Sequence, residues 1–489
     1  MKRAILCSLL VLLALMPVQA QDKKPNIVVI LADDLGNADL GYRGGQVKTP
    51  NIDRLAMSGA RLESFYSLPV CTPGRAALMT GRYPMRYGLQ TMVIFPSHTY
   101  GLATDERTLP QALKEAGYQT YMVGKWHLGH AFKKFWPQSR GFDHFYGNLI
   151  GEVDYYTKER GGVIDWQRDG TFLIEKGYYM DQIGDEAVRI IERQSPSKPF
   201  FLYFASLAVH TPYQAPQSLR DRYPDIQDET RRTYAAMASS LDDQVGRIRA
   251  ALEKKGMLND TVIVFASDNG GVVKGAFSAL ADQRKQSDGR KVSSDPASNA
   301  PFRGGKGTLY EGGVRVPAFV VWPGKVPAGV VNETVAMVDL MPTLLNLVGG
   351  KGNDADHPFD GRDIWPTIIA GSPSPHEDLL LNVEIFRGAV RKGQWKLVKL
   401  ALLPGQVELF DMVADPLEKN NVAADHPEIV SELNKLLLAY AKQQALALWL
   451  KVQPSFMGAQ GHSVLDPGYE IDDGGLPHEK TVLPEGAGK

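Results

Sequence analysis

Four apolar runs in this chain end on chemically active side chains, and any fold must account for that recurrence. "NIVVIL" closes on Asp33 and Asp34, "TYMV" leads into Lys125 and His127, "FFLYFASLAV" into His210, and "TVIVFAS" into Asp268 and Asn269. Runs this short, rich in β-branched and aromatic residues and bounded by turn formers, read as strands. A fifth run, "VPAFVVWPG", has the same texture. Helical patterns at 51–58, 109–116, 184–193, 230–255 and 338–348 lie between the runs. Such alternation predicts an α/β protein with helices layered on a sheet. Ligands bind such sheets outside the carboxyl ends of the strands. An Asp pair after one strand is ordinarily a turn, and a single His ordinarily a core or surface residue. Four strands delivering polar groups to one edge predict a site.

The residue types define its chemistry. Asp33, Asp34, Asp268 and Asn269 offer only oxygen donors, which suits a hard divalent cation, Ca²⁺ in preference to Mg²⁺, and argues against zinc. Lys125, Lys306 in "FRGGKGTLYEGG" and Arg75 supply local positive charge, and His127 and His210 can move protons near neutral pH. The whole chain supplies no such field. Its 54 Lys and Arg balance 55 Asp and Glu, which favours neither nucleic acid nor an anionic membrane as partner. An anionic substrate must therefore be caught by the local cluster.

Residues 1–20 carry Lys2 and Arg3, an apolar run and then Val18-Gln19-Ala20, the layout of a cleaved export signal. The run is shorter than the ~20 apolar residues that span a bilayer. The expectation is an exported protein, periplasmic or secreted, with no membrane anchor. Cys7 leaves with the signal, so Cys71 remains as a lone thiol in an oxidising compartment, where it is buried and inert, reactive, paired between chains or modified. "CTPGRAALMTG" reads as a helix with Pro73 in its first turn and Gly81 at its end. Cys71 then sits at a helix mouth, where anions bind and thiols are activated. After about residue 371, "DLLLNV", "FRGAVRKGQWKLVKL" and "VELFDM" read as antiparallel strands, and "HPEIVSELNKLLLAYAKQQ" as one helix packed on them. The expected division is a catalytic domain at 21–370 and a C-terminal subdomain with a tail at 371–489.

"CTPGR" fits the Cys-x-Pro-x-Arg signature of the type I sulfatases, in which the cysteine becomes formylglycine. "GRYPMRYGLQ", "GYQTYMVGKWHLGH", "SRGFDHFYG", "FASDNGG" and "KGTLYEGGVRVPAFVVWPG" resemble further blocks of that family in the same order, over about 25–365. The one departure is Gly74, where Ser is commoner. The resemblance implies the alkaline phosphatase superfamily, with an α/β/α sandwich around a large mixed sheet and a smaller C-terminal subdomain. It implies that Asp33, Asp34, Asp268 and Asn269 bind one Ca²⁺ together with an oxygen of modified residue 71. Arg75 would hold that residue's charge, Lys125 and Lys306 would bind sulfate oxygens, His210 would protonate the departing alcohol, and His127 would take the proton that triggers elimination. An aldehyde hydrate has two hydroxyls, one to attack sulfur and one to help expel sulfate later. The implied partners are a sulfated saccharide and a formylglycine-generating or radical maturation enzyme.

The blocks look most similar to the arylsulfatase B (N-acetylgalactosamine-4-sulfatase) branch. This implies action on 4-O-sulfate of galacto-configured sugars, as in chondroitin, dermatan or carrageenan-type galactans. Asp154, Tyr155 and the polar loop at 276–299 are the candidate sugar contacts. The competing expectations are a phosphodiesterase or phosphonate monoester hydrolase of the same superfamily, and a non-catalytic glycan-binding relative.

Overall fold

The computed structural model describes residues 23–273, 295–401 and 405–450. The expected export signal, most of the 276–299 loop and the tail beyond 450 lie outside the described residues. A ten-stranded mixed sheet organises the chain. Its strands are β1 (Asn26–Ala32), β2 (Ala60–Tyr66), β3 (Gln119–Lys125), β4 (His144–Asn148), β7 (Gln167–Arg168), β8 (Thr171–Phe172), β9 (Phe200–Ala205), β10 (Thr261–Ser267), β11 (Ala318–Val321) and β12 (Gly329–Ala336). A separate hairpin, β5 (Glu159–Arg160) with β6 (Val163–Ile164), leaves the sheet after β4. The spatial order is β12-β2-β11-β10-β1-β9-β3-β4-β7-β8. The five central strands, β10, β1, β9, β3 and β4, are parallel, so their carboxyl ends share one edge.

Strand β1 shows why the runs are apolar without interruption. Ile27, Val29 and Leu31 enter one core, and Val28, Ile30 and Ala32 the other, all fully buried. Successive side chains of a strand point to opposite faces, and only a strand covered on both faces is apolar at every position. The helices Tyr179–Arg193 and Glu229–Lys254 close one face, and Cys71–Thr80 lies against the other. The second of these begins at Asp228, whose carboxylate accepts from the Arg231 N–H as an N-cap. The expected 338–348 helix is a 3₁₀ turn, Met337–Asp339, continued by Leu340–Leu347. Strands β2 and β12 fall outside the sequence expectation. Their charged residues, Arg61 and Glu63 on β2 and Glu333 on β12, are half-buried and interrupt the apolar pattern, as in edge and near-edge strands.

The C-terminal sheet, β13 (Asp378–Val383), β14 (Arg387–Lys392), β15 (Trp395–Leu400) and β16 (Gln406–Asp411), is antiparallel in sequence order. The helix Pro427–Ala441 packs Leu433 and Leu437 on it, and its apolar residues are continuous with one core of the large sheet. Buried ions also join the two sheets. Lys396 Nζ on β15 lies 2.7 Å from carboxylate oxygens of both Glu311 and Glu418, and all three residues are buried. Tyr66 at the end of β2 donates to Glu311 at 2.8 Å and accepts from Arg391 on β14. Removing one member of a buried ion cluster strands its partners in a medium that cannot solvate them. Lys396→Met should therefore lower unfolding free energy by about 3 kcal/mol, read from denaturant titration against the parent protein.

Candidate active site

Backbone hydrogen bonds between strand ends build the floor of the site. Asp33 N donates to Ala208 O at 3.1 Å, Val209 N to Asp33 O at 2.7 Å, and Asp268 N to Ala32 O at 3.0 Å, so the exits of β1, β9 and β10 move as one piece. The helix Cys71–Thr80 points its first residue at that floor. Pro73 costs no hydrogen bond in the first turn, and Gly81 ends the helix in the left-handed region at φ 65°. Gly74 marks a close approach: a Cβ there would stand 2.2 Å from the Asp268 carbonyl oxygen.

The structure brings the residues expected to hold metal and sulfate and to move protons to this place, but not the expected sugar contacts Asp154 and Tyr155. Cys71 Sγ lies 3.5 Å from Asp33 Oδ1 and 3.9 Å from Asp34 Oδ1. Lys125 Nζ meets Asp33 Oδ2 at 2.5 Å, and Lys306 Nζ meets Asp34 at 2.8 Å. Arg75 reaches Asp268 through Nε at 2.9 Å, Asp33 through Nη2 at 3.4 Å, and donates through Nη1 to the Lys125 carbonyl at 2.8 Å. Asn269 donates to Asp34 Oδ1 at 2.7 Å, while its own Oδ1 is buried with no hydrogen-bond partner. Ligand atoms of Asp33, Asp34, Cys71 and His210 all lie within 4.8 Å of one another. His210 thus joins a cluster that sequence reasoning had assembled from oxygen donors alone.

Two backbone carbonyls set the histidine tautomers. His127 Nε2 is 3.0 Å from Ile94 O, which can only accept, so Nε2 carries the hydrogen and the buried, unpartnered Nδ1 presents its lone pair. His210 Nδ1 is 2.8 Å from Thr211 O and therefore protonated, leaving Nε2 to face Asp34 at 3.7 Å. Thr72 ties the pieces together, donating to His127 O at 3.0 Å and accepting from Ile94 N at 3.1 Å.

Burial dominates the electrostatics, and local charges modulate it. Desolvation and then the cations Lys125 and Arg75 depress the proton affinity of His127 far below the ordinary range. Desolvation, then Lys125 and Lys306, do the same to His210. Asp33 is pushed up to about 7 by burial and by Asp268, against Lys125 and Arg75. Burial and then the Asp268 charge drive the Cys71 thiol well above its usual value. The helix mouth does not activate this thiol, contrary to the expectation from its position alone, because burial and carboxylates outweigh the helix terminus.

At the floor opens a cleft lined by Asp34, Cys71, His127, His210 and Lys306, with the apolar Val93, Ile94 and Phe95 and the polar Glu152, Arg160 and Thr211. Neither Asp154 nor Tyr155 lines it. Asp154 closes a turn by accepting from Tyr156 N and Thr157 N, and the buried Tyr155 hydroxyl donates to Leu207 O and His210 O, propping the His210 segment. Glu152 and Arg160, paired at 3.3 Å, are the residues that sequence reasoning missed. They stand two residues before and five after the guessed positions, in a stretch with no motif to mark them.

Two lysines, two histidines and a carboxylate cluster at the carboxyl edge of this mixed sheet agree with a hydrolase of the alkaline phosphatase superfamily. Within that superfamily the chain belongs to the sulfatase family, whose model, described as Sulfatase, matches residues 25–350. It is a sulfuric ester hydrolase. Arylsulfatase J of Mus musculus is 36% identical over 479 residues, covering 86% of this chain and 77% of that protein. N-acetylgalactosamine-6-sulfatase of Mus musculus is 37% identical over 406 residues, covering 76% and 71%. Among solved structures, Ps i-CgsB in complex with k-i-k-neocarrahexaose superimposes with a TM-score of 0.78 at 32% identity, covering 89% of this chain and 99% of that one.

The thiol's environment is open to a direct test. Unconverted Cys71 in the folded protein should resist alkylation by iodoacetamide at pH 8 and react readily in urea, as read by intact mass.

Proposed function

We propose that this protein removes the 4-O-sulfate of galacto-configured saccharides, using a formylglycine made from Cys71 and one Ca²⁺. The observation that carries the sulfatase chemistry is the placement of Cys71: a buried, protonated thiol facing two carboxylates and flanked by Lys125 and Lys306. Such a thiol is a poor nucleophile and a suitable precursor of one. A formylglycine hydrate at this position supplies an attacking hydroxyl that needs no thiolate.

The residues present fit a hard divalent cation. Asp33, Asp34 and Asp268 converge with the orphaned Oδ1 of Asn269, an all-oxygen set, and the raised proton affinity of Asp33 reports crowded negative charge. These four residues would hold Ca²⁺ with an oxygen of converted residue 71, and the ion when bound supplies positive charge beside the reacting sulfate. The protein's own groups do the rest. Lys125 and Lys306 bind sulfate oxygens, and Arg75 holds the floor carboxylates in place. His127 Nδ1, with its lone pair free, accepts a proton from residue 71. His210 Nε2 donates one to the departing alcohol. The cations around His210 keep it neutral before substrate arrives, and the incoming sulfate's negative charge favours its protonation at the moment an acid is needed.

The saccharide part rests on relatives and on the walls. Two neighbours carry galacto-type names or ligands, an N-acetylgalactosamine-6-sulfatase and a structure holding a neocarrahexaose. A lining that combines Val93, Ile94 and Phe95 with the polar Glu152 and Arg160 suits a sugar, whose ring presents a C–H face and a hydroxyl edge. The reading includes an export signal at 1–20, conversion by a dedicated maturation enzyme, a catalytic domain at 21–370 and a subdomain from 371 onward. Among the described residues no helix is long and apolar enough to cross a membrane.

The direct test incubates converted, calcium-loaded protein with defined monosulfated saccharides and follows desulfation by NMR. Galactose 4-sulfate and N-acetylgalactosamine 4-sulfate should be turned over fastest. Preference for the 6-sulfates would move the position on the sugar, and preference for glucosamine sulfates would overturn the galacto reading. Peptide mass spectrometry of active protein should find formylglycine at residue 71, and full activity with intact Cys71 would sink the nucleophile assignment. His210→Ala should lower kcat/KM by roughly 100-fold or more on sugar sulfates and by about tenfold or less on an activated aryl sulfate. Equal losses on both would remove His210 as the acid.

A further inference from the structure

Lys306 stands in "RGGKG", between Gly304 and Gly305 on one side and Gly307 on the other, with Gly304 and Gly307 at φ 76° and 86°. A backbone so rich in glycine has little stiffness of its own and loses much entropy when fixed. Its position must come from outside. Lys306 N donates to Gly271 O at 3.0 Å, tying the lysine to the segment after Asn269, and Gly307 N donates to Pro69 O at 2.7 Å, two residues before Cys71. The other backbone polar group of the same glycine, Gly307 O, accepts from Arg387 Nη1, the first residue of β14 on the C-terminal sheet. Through its Nε, Arg387 separately donates to Glu384 Oε1 at 2.6 Å across the β13–β14 turn. Further along the same loop, Arg303 donates to Glu418 O at 3.1 Å, Tyr310 to Glu408 at 2.6 Å, and Glu311 is ion-paired to Lys396. The loop that delivers Lys306 is therefore gripped along its length by the C-terminal sheet, with Arg387 nearest the ammonium group.

We propose that Arg387 is a positioning residue for Lys306, so that the C-terminal sheet forms part of the sulfate-binding machinery through the Gly307 carbonyl. The proposal rests on the reading of Lys306 as a sulfate ligand. A charged donor on the Gly307 carbonyl, together with the bond from Gly307 N to Pro69 O, holds the glycine that follows Lys306 at both of its backbone groups and so limits rotation of the chain that carries the lysine. Small errors in such positioning are costly where a rigid site must meet a transition-state charge.

A double-mutant cycle on the full-length, converted protein tests it, with an activated aryl sulfate as substrate. Arg387→Met, which keeps the length of the side chain and removes its donors, should lower kcat/KM about tenfold in the parent background. In the Lys306→Ala background the same change should cost less than twofold, because the group it positions is gone. Inhibition by inorganic sulfate should weaken about tenfold with Arg387→Met, and Arg387→Lys, which retains a charged donor, should recover most of both losses. Glu384→Gln breaks the ion pair within the turn while leaving the Gly307 bond, and should keep kcat/KM within about twofold of the parent; it serves as the control for damage to the hairpin. Equal factors for Arg387→Met in both backgrounds would overturn the proposal and leave Arg387 a structural brace. Should Arg387→Met fail to fold, the Arg387→Lys and Glu384→Gln pair decides, since a tenfold loss in Glu384→Gln with Arg387→Lys unimpaired also overturns it. Lys306→Ala with undiminished activity and unchanged sulfate inhibition would remove instead the reading of Lys306 itself, and the proposal with it.

Discussion

Three carboxylates, Asp33, Asp34 and Asp268, are buried at the ends of β1 and β10, near enough for the Asp268 charge to act on Asp33 and for Asp268 Oδ1 to accept from Asp34 N, and the structure depends on how that charge is met. Isolated ions in a protein interior cost several kcal/mol each and persist only when paired and hydrogen-bonded. Here the pairing comes from three different elements: Arg75 from a helix, Lys125 from the end of β3, and Lys306 from a glycine-rich loop. Each cation is useful to a substrate anion only because the carboxylates hold it still. The floor is thus a preorganised field, assembled during folding and ready before substrate arrives.

The sheet makes this assembly possible. Five parallel strands put their carboxyl ends on one edge, and the backbone bonds among the exits of β1, β9 and β10 hold the spacing of side chains more than 200 residues apart in sequence, as in the Asp33 and Asp34 contacts with residue 268. The interior of β1 is wholly apolar, and the burial of Ile27 to Ala32 on two faces contributes apolar free energy that offsets the charged edge. The offset is local as well as global. Gly74 lets the Cys71 helix come close enough for Asp268 to meet Arg75, and Gly151 lies flat against the His127 ring, where a Cβ would stand 2.5 Å from Cε1.

Much of this was legible in the chain because the relevant signals are short and periodic. Continuous apolarity marked β1, β9 and β10 as doubly covered, and the polar residues that broke those runs marked the edge. Strands such as β2, "ARLESFY", and β12, "GVVNETVA", were not legible, because a strand near an edge alternates and its charged positions mimic a loop. Glu152 and Arg160 escaped for another reason. Glu152 reaches the cleft from the loop after β4 and Arg160 from the small β5–β6 hairpin, on either side of Tyr155 where it props the His210 segment, and no spacing rule encodes such a path. Position at a helix mouth also misled about Cys71, since the sequence announces a helix start and does not announce how deeply it is buried.

That burial gives the site its internal logic. Low polarity and then the Asp268 charge hold the Cys71 thiol protonated, which disfavours a thiolate nucleophile and is the physical ground for the proposed conversion of residue 71 into a group that does not need to ionise. The histidines obey the same rule. Ile94 O and Thr211 O fix one nitrogen of each ring as a donor, and burial first, then the neighbouring cations, keeps the other unprotonated. In the proposed mechanism the negative charge of a bound sulfate raises the proton affinity of His210, beside Asp34, and the lone pair on His127 Nδ1 serves as the base, so that two rings whose proton affinity burial lowers alike take opposite parts.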